Sequence, residues 1–165
     1  MDDIVRQAMA KWPHVPDCFG WLGLDSRGQW YMRDDRVQQL GTFQSGQRGV
    51  KGSVLRHDKL IDFIHRNYDA DERGRWFFQN GPQRVYIELE VSPYIWRLNS
   101  HFEPSAHTGK VTEVLGCLMD EVGRVYLNTT GGFGLVHTLD VAYVAEAVDM
   151  GLWTPEECLS RDLPQ

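Results

Sequence analysis

The sequence has few of the features that secreted and membrane-spanning proteins use. It contains three cysteines, Cys18, Cys117 and Cys158, and an odd count without a C-x-x-C pair supports neither a disulfide framework nor a cysteine zinc site. No apolar run approaches the roughly 18 residues that a membrane span requires. We therefore expect a cytoplasmic protein with no membrane partner.

Basic residues are also scarce. Lys and Arg number 17 against 23 Asp and Glu, which gives a net charge of -6. A protein that binds a phosphate backbone needs a clustered Lys and Arg surface, so we expect no nucleic-acid partner. Hydrophobic residues make up 42% of the chain, enough for a packed core without metal or disulfides. The length of 165 residues predicts one domain over 1–165.

One short pattern occurs three times, at 25–32, 71–78 and 120–127. It reads D-x-[RV]-G-[QR]-[WV]-[YF] followed by an apolar residue. Asp can bond the backbone two residues on, and Gly tolerates positive φ, so 25–28, 71–74 and 120–123 read as tight turns. The aromatic and β-branched residues that follow favour strands. The sequence therefore predicts three related antiparallel β-hairpins.

The segments between the hairpins show helical features. Helical spacing or capping residues occur at 4–12, 53–68, 138–151 and 154–157. The predicted fold class is α+β, with the three D-x-x-G hairpins packed against two to four helices.

A glycine-rich segment at 41–52 runs into the second predicted helix. Its basic residues Arg48 and Lys51, together with Ser53, are candidates for holding an anion at the helix start. The Gly-Lys-Ser/Thr order of a P-loop is missing, which favours a flexible basic loop instead.

A second long loop is predicted at 99–110. His101, Glu103 and His107 are candidate metal ligands there, since zinc hydrolases use two or three such groups and a water molecule. The spacing matches no established motif, and short His and Glu spacings arise easily by chance. An exposed, mobile loop is therefore the favoured interpretation.

No residue is identified as catalytic. The sequence has no G-x-S-x-G elbow, and Cys117 lies in an apolar strand, where an inert core thiol is the usual outcome. We expect no cofactor.

The middle of the chain resembles a family of small bacterial proteins known only as a domain of unknown function. The similarity is carried by 20–30, by 60–64, by 71–78 and most specifically by 83–94, which reads Q-R-V-Y-I-E-L-E-V-S-P-Y. In that family the last stretch is similar to E-K-x-x-I-x-V-E-D-A-P-F. The resemblance implies a fold with repeated motifs and a role in signalling, and it brings no catalytic residues. This chain differs in Gln83-Arg84, in the glycine-rich loop and in its helical carboxyl end.

Two functional hypotheses follow. The favoured one is a non-enzymatic module that binds a small ligand or a protein partner, with a role in bacterial signalling. The alternative is a metal-assisted hydrolase that uses the 99–110 loop.

Overall fold

The structure, a computed structural model, describes residues 1–164. Over these residues it is an α+β protein with two six-stranded mixed sheets and four α-helices, which confirms the predicted fold class. The chain divides into two compact units. Unit 1 comprises Met1–Asp25 and Gln29–Glu90, and unit 2 comprises Ser26–Gly28 and the chain from Val91 onward. The single-domain prediction stays a prediction.

Unit 1 holds six strands and three α-helices. The strands are β1 Cys18–Leu24, β2 Trp30–Met32, β3 Ser53–Val54, β4 Tyr68–Ala70, β5 Trp76–Asn80 and β6 Gln83–Leu89. The helices are α1 Asp3–Lys11, α2 Asp35–Leu40 and α3 Asp58–Arg66. The sheet order is β3-β2-β1-β6-β5-β4, and β1 runs parallel to β6.

Unit 2 holds the other six strands and one α-helix. The strands are β7 Tyr94–Leu98, β8 Pro104–Ala106, β9 Val114–Met119, β10 Val125–Thr129, β11 Gly132–Val136 and β12 Glu156–Glu157. The helix is α4 Val141–Asp149. The sheet order is β12-β9-β10-β11-β7-β8. Three 3-10 turns, at Phe43–Ser45, Thr138–Asp140 and Ser160–Asp162, complete the two units.

The same order of pairings occurs in both sheets. In unit 1 the antiparallel meander β4-β5-β6 lies beside β1, which is parallel to β6 and forms a hairpin with β2. In unit 2 the meander β9-β10-β11 lies beside β7, which is parallel to β11 and pairs antiparallel with β8. The β7–β8 connection of unit 2 therefore corresponds to the β1–β2 turn of unit 1.

The three D-x-x-G segments form the predicted hairpin turns. In each, the Asp amide donates to the carbonyl four residues on at 2.9–3.0 Å, and Asp Oδ1 accepts from the amide of that same residue at 2.8–2.9 Å. The fourth residues of the turns, Gly28, Gly74 and Gly123, have φ of +79°, +77° and +80°. Glycine fits this region because it carries no Cβ.

One core cluster of unit 1 lies on the face of the sheet that α3 covers. Leu22, Leu24, Phe78 and Ile87 are buried there with Ile64 of α3. Burial of this face explains the helical spacing of the apolar residues in 58–66.

Trp30 and Trp76 follow equivalent turns, and both contact Tyr68. The ring centroids are 5.8 Å and 4.8 Å from that of Tyr68. Trp30 is only 2% exposed, whereas Trp76 is half-buried because it lies near the β4 edge of the sheet. These two tryptophans, at equivalent positions after their turns, therefore differ in burial.

Two helix predictions need correction. The helix predicted over 53–68 begins only at Asp58, where His57 Nδ1 accepts from the Leu60 amide at 3.2 Å, and its two ends form strands β3 and β4. The helix predicted at 154–157 is absent, and β12 pairs there parallel to β9. Among the described residues, no helix has both the length and the hydrophobicity that crossing a bilayer requires.

Candidate functional site

The β7–β8 connection is a fourth turn with the same hydrogen bonds as the D-x-x-G turns. The Asn99 amide donates to the Glu103 carbonyl at 3.4 Å, and Asn99 Oδ1 accepts from the amides of His101 and Glu103 at 2.9 Å and 3.1 Å. The amide of Phe102 donates to the Asn99 carbonyl at 3.0 Å, as the turn glycines 74 and 123 do to their Asp residues. Asn99 thus replaces the turn Asp, and Phe102 stands where the other turns have Gly.

Phe102 has the left-handed backbone that this position demands. Its φ is +60°, the only positive value at a non-glycine residue within 1–164. A side chain in this region costs roughly 1–2 kcal/mol, which glycine would avoid. The Phe102 ring meets the Trp153 ring edge to face, with centroids 6.2 Å apart. Strain of this kind points to a use for the side chain itself.

The Phe102 and Trp153 rings line a groove made of two adjoining cavities. One cavity of about 560 Å³ is lined by His101, Phe102, Glu103, Pro104, Val111, Thr112, Glu113, Val114, Leu152 and Trp153. The other, of about 480 Å³, is lined by Val114, Leu115, Gly116, Cys117, Leu118, Asn128, Leu152, Trp153, Thr154 and Glu156. Val114, Leu152 and Trp153 belong to both cavities, so we treat these two cavities together as the groove.

Apolar side chains at the groove are open to solvent. Val111 is 72% exposed, Leu115 65% and Leu152 56%. Isolated exposed hydrophobic residues are common, but several on one concave surface mark an interaction site. The groove therefore offers exposed apolar side chains within a space that has the dimensions of a ligand pocket.

The charges that line the groove are acidic. The described lining contains Glu103, Glu113 and Glu156, and neither Lys nor Arg. Unit 2 as a whole has ten Asp and Glu against five Lys and Arg, so it carries -5 of the net charge of -6. The groove thus favours a cationic or neutral occupant.

Cys117 supplies no nucleophile to the groove. The residue is buried, and burial raises the pKa of its thiol to about 11. The reactive thiolate is accordingly scarce at neutral pH, which agrees with the predicted inert core thiol.

Two of the predicted metal ligands, His101 and Glu103, lie in the fourth turn, whereas His107 lies opposite Ile95 at the other end of the β7–β8 pair. His101 is exposed, Glu103 accepts a hydrogen bond from Asn99 Nδ2 at 2.8 Å, and His107 Nδ1 accepts one from the Ile95 amide at 3.3 Å. In residues 1–164 no group of three or more His, Cys, Asp and Glu side chains is placed to hold a metal ion. The loop predicted as exposed over 99–110 instead contains β8, in which Pro104 and Ala106 are buried.

The anion-site candidates lie in unit 1. Arg48 is exposed, Lys51 Nζ is 2.9 Å from Glu90 Oε2, and Ser53 pairs with Met32 in the sheet. Lys51 is thus already neutralised by a carboxylate, and Ser53 starts a strand rather than a helix. The anion site stays a prediction.

The glycine-rich segment is organised around a residue that sequence reasoning missed. Arg33 is only 3% exposed, and its guanidinium donates to the carbonyls of Val50 and Gly41, each at 2.7 Å. The guanidinium carbon also lies 5.8 Å from the centroid of the buried Phe43 ring. These contacts hold the segment through its carbonyl oxygens, which do not bind anions.

Two solved structures are similar to this chain, and the first of them shows a shared fold. A DUF1285 family protein from Silicibacter pomeroyi DSS-3 is 11% identical to this chain, with a TM-score of 0.51 over 88% of this chain and 84% of that one. A DUF1285 family protein from Shewanella baltica OS155 is 14% identical, with a TM-score of 0.49 over 76% of this chain and 91% of that one.

Comparison by sequence identifies the family. No curated protein matches this chain. The model of the family DUF2944, described as "Protein of unknown function (DUF2946)", matches residues 1–163. The chain therefore belongs to this family of proteins of unknown function.

Proposed function

We propose that this protein is a non-enzymatic binding module whose groove receives an apolar group of a ligand or partner protein. The observation that carries the proposal is Phe102, a bulky residue at positive φ where the three related turns have glycine. A turn needs no phenyl ring at this position, whereas a binding surface does.

The groove supports the proposal by its chemistry. Phe102 and Trp153 form an aromatic pair beside the exposed Val111, Leu115 and Leu152. Aromatic side chains supply much of the energy at binding sites because they bury a large area with few rotatable bonds. A role in bacterial signalling, which the family resemblance suggests, is part of the same proposal.

The alternative of a metal-assisted hydrolase has less support. Glu103 and His107 are engaged by Asn99 and by the Ile95 amide, and a hydrolytic zinc site needs two or three converging ligands. Elemental analysis of purified protein separates the two functions, because stoichiometric zinc, manganese or iron would favour the hydrolase.

The binding function can be tested with a neutral apolar probe. Indole titrated into ¹⁵N-labelled protein should shift the amide resonances of Leu115, Cys117, Leu152 and Trp153. A Cβ at Gly116 meets open space, and its backbone has ordinary φ, so Gly116→Phe should fill the groove without disturbing the fold. Gly116→Ala is the matched control that leaves the groove open.

We expect Gly116→Phe to abolish the indole shifts and Gly116→Ala to keep them. Shifts that persist in the Phe variant, or a complete lack of shifts in the wild type, would refute the proposed use of this groove.

A further inference from the structure

We infer that the occupant of the groove is an extended peptide from a partner protein, with apolar residues flanked by Lys or Arg, that pairs with β9 as an added strand. This inference rests on the proposed function, because it names the ligand of the same groove.

The first support is an open backbone edge beside the groove. On one side β9 pairs with β10, but on the other side β12 pairs only with Leu118 and Met119. In the described part of the chain, no strand pairs with Val114–Cys117 on that second side. These four residues also line the groove cavity of about 480 Å³.

Backbone direction along β9 fits strand addition. The Cys158 amide donates to the Met119 carbonyl at 2.9 Å, so Met119 points its backbone groups toward the β12 side. Alternate residues of a strand point the same way, which places the Cys117 amide on this open side. An extended peptide can use such groups for main-chain hydrogen bonds, as in β-augmentation.

The shape of the groove fits two side chains of that peptide. Its two cavities share the wall formed by Val114, Leu152 and Trp153. Alternate residues of an extended chain point the same way and are spaced by roughly 6–7 Å. Two apolar side chains at alternate positions would therefore enter neighbouring cavities, one of them against the Phe102 ring.

The acidic lining of the groove indicates which residues should flank the apolar residues of the peptide. Glu103, Glu113 and Glu156 line the groove, and the neighbouring cavity of about 660 Å³ adds Asp120, Glu121, Glu157 and Asp162. None of the three described linings contains Lys or Arg. Complementary charge speeds association and rejects acidic partners, so the peptide is expected to be basic.

The test is selection from a randomised peptide library on immobilised full-length protein, with Gly116→Phe protein as the counter-selection. We expect enrichment of peptides that alternate apolar residues with Lys or Arg. Affinities of the enriched peptides are then measured by fluorescence polarisation.

Two matched variants locate the contact. Leu115→Lys places a positive charge in the groove and should weaken binding at least about tenfold. Leu139→Lys makes the same change at a residue of equal exposure, 66% against 65%, outside the groove lining, and should leave affinity within about twofold. N-methylation of alternate peptide amides should also weaken binding at least about tenfold if strand pairing occurs.

The outcomes separate the two proposals. If indole shifts the groove amides but no peptide is enriched, or if the enriched peptides are acidic, the peptide inference fails and the binding function stands. If Gly116→Phe changes neither the indole shifts nor the binding of any peptide, both proposals fail. Concentration-dependent self-association that Leu115→Lys removes would identify a second copy as the occupant and overturn the inference.

Discussion

The hydroxyl of Tyr126 donates a hydrogen bond to Asp120 Oδ2 at 3.1 Å, and both residues are at least 95% buried. Asp120 uses its other oxygen to accept from the amides of Val122 and Arg124. One buried carboxylate thus holds both the turn and the strand that follows it. Burial and the neighbouring Asp120 raise the pKa of Tyr126 to about 12, so this hydroxyl stays a donor throughout the neutral range.

Tyr126→Phe should lower the free energy of unfolding by about 1–3 kcal/mol, because it leaves a buried carboxylate oxygen without its donor. Urea unfolding measures the change. Tyr31→Phe is the matched control: Tyr31 contacts Asp25 at 3.3 Å in the equivalent turn but is half-buried, so its loss should be smaller. Equal losses would contradict the role of burial.

Two glycines of the β9–β10 hairpin allow the cost of backbone strain to be measured apart from the cost of a steric clash. An added Cβ meets open space at both Gly123 and Gly116, but only Gly123 has positive φ. Gly123→Ala should therefore cost about 1–2 kcal/mol of unfolding free energy. Gly116→Ala should be neutral or slightly stabilising. Denaturant midpoints of the two variants test this, and a similar cost at both positions would refute it.

Replacement of Phe102 by glycine should change the free energy of unfolding in the opposite direction to Gly123→Ala. If its positive φ is strained, Phe102→Gly should leave the free energy of unfolding unchanged or raise it by up to about 1 kcal/mol, in spite of the lost contact with Trp153. The same variant should weaken binding at the groove. A large loss of stability would instead make Phe102 a structural residue.

Arg33 should control the order of the glycine-rich segment. Arg33→Met removes the two hydrogen bonds that the charged guanidinium donates, so the Val50 and Gly41 carbonyls lose this donor. We expect the free energy of unfolding to fall by about 2–4 kcal/mol. Trypsin should also cleave faster after the exposed Arg48. Unchanged proteolysis there would argue against this role.

The D-x-x-G pattern predicts three of the four related turns, and the fourth differs from them in residue type. Asp and Gly are the usual residues for this turn, so a D-x-x-G pattern does not include Asn99 and Phe102, although Asn offers the same side-chain oxygen. Residues with unusual backbone conformation are those that local propensity fails to predict, and here they mark the candidate site.

Long-range contacts explain the other differences. The helix predicted at 154–157 follows local capping rules, but pairing of Glu156 with Leu118 stabilises a strand instead. Arg33 looks like an ordinary surface residue in sequence, because its two carbonyl partners lie 8 and 17 residues away. The apolar spacing that predicted α3 and α4 succeeded since each helix buries one face.

His65 makes the stability of unit 1 sensitive to pH. The indole N–H of Trp30 donates to His65 Nε2 at 2.9 Å, which requires a neutral imidazole. Burial lowers the pKa of His65, and the opposing charge of Asp62 does not cancel this effect. The unfolded state, with an ordinary histidine pKa of about 6.5, therefore binds more protons than the folded state as the pH falls below that value. The stabilisation that the neutral His65 gives to the folded state is present above pH of about 6.5 and is lost as the pH falls through the lower folded pKa.

His65→Gln keeps a side-chain acceptor without a titrating group, so its urea midpoint should change less than that of the wild type between neutral and mildly acidic pH. Parallel pH profiles for the two proteins would show that another group is responsible.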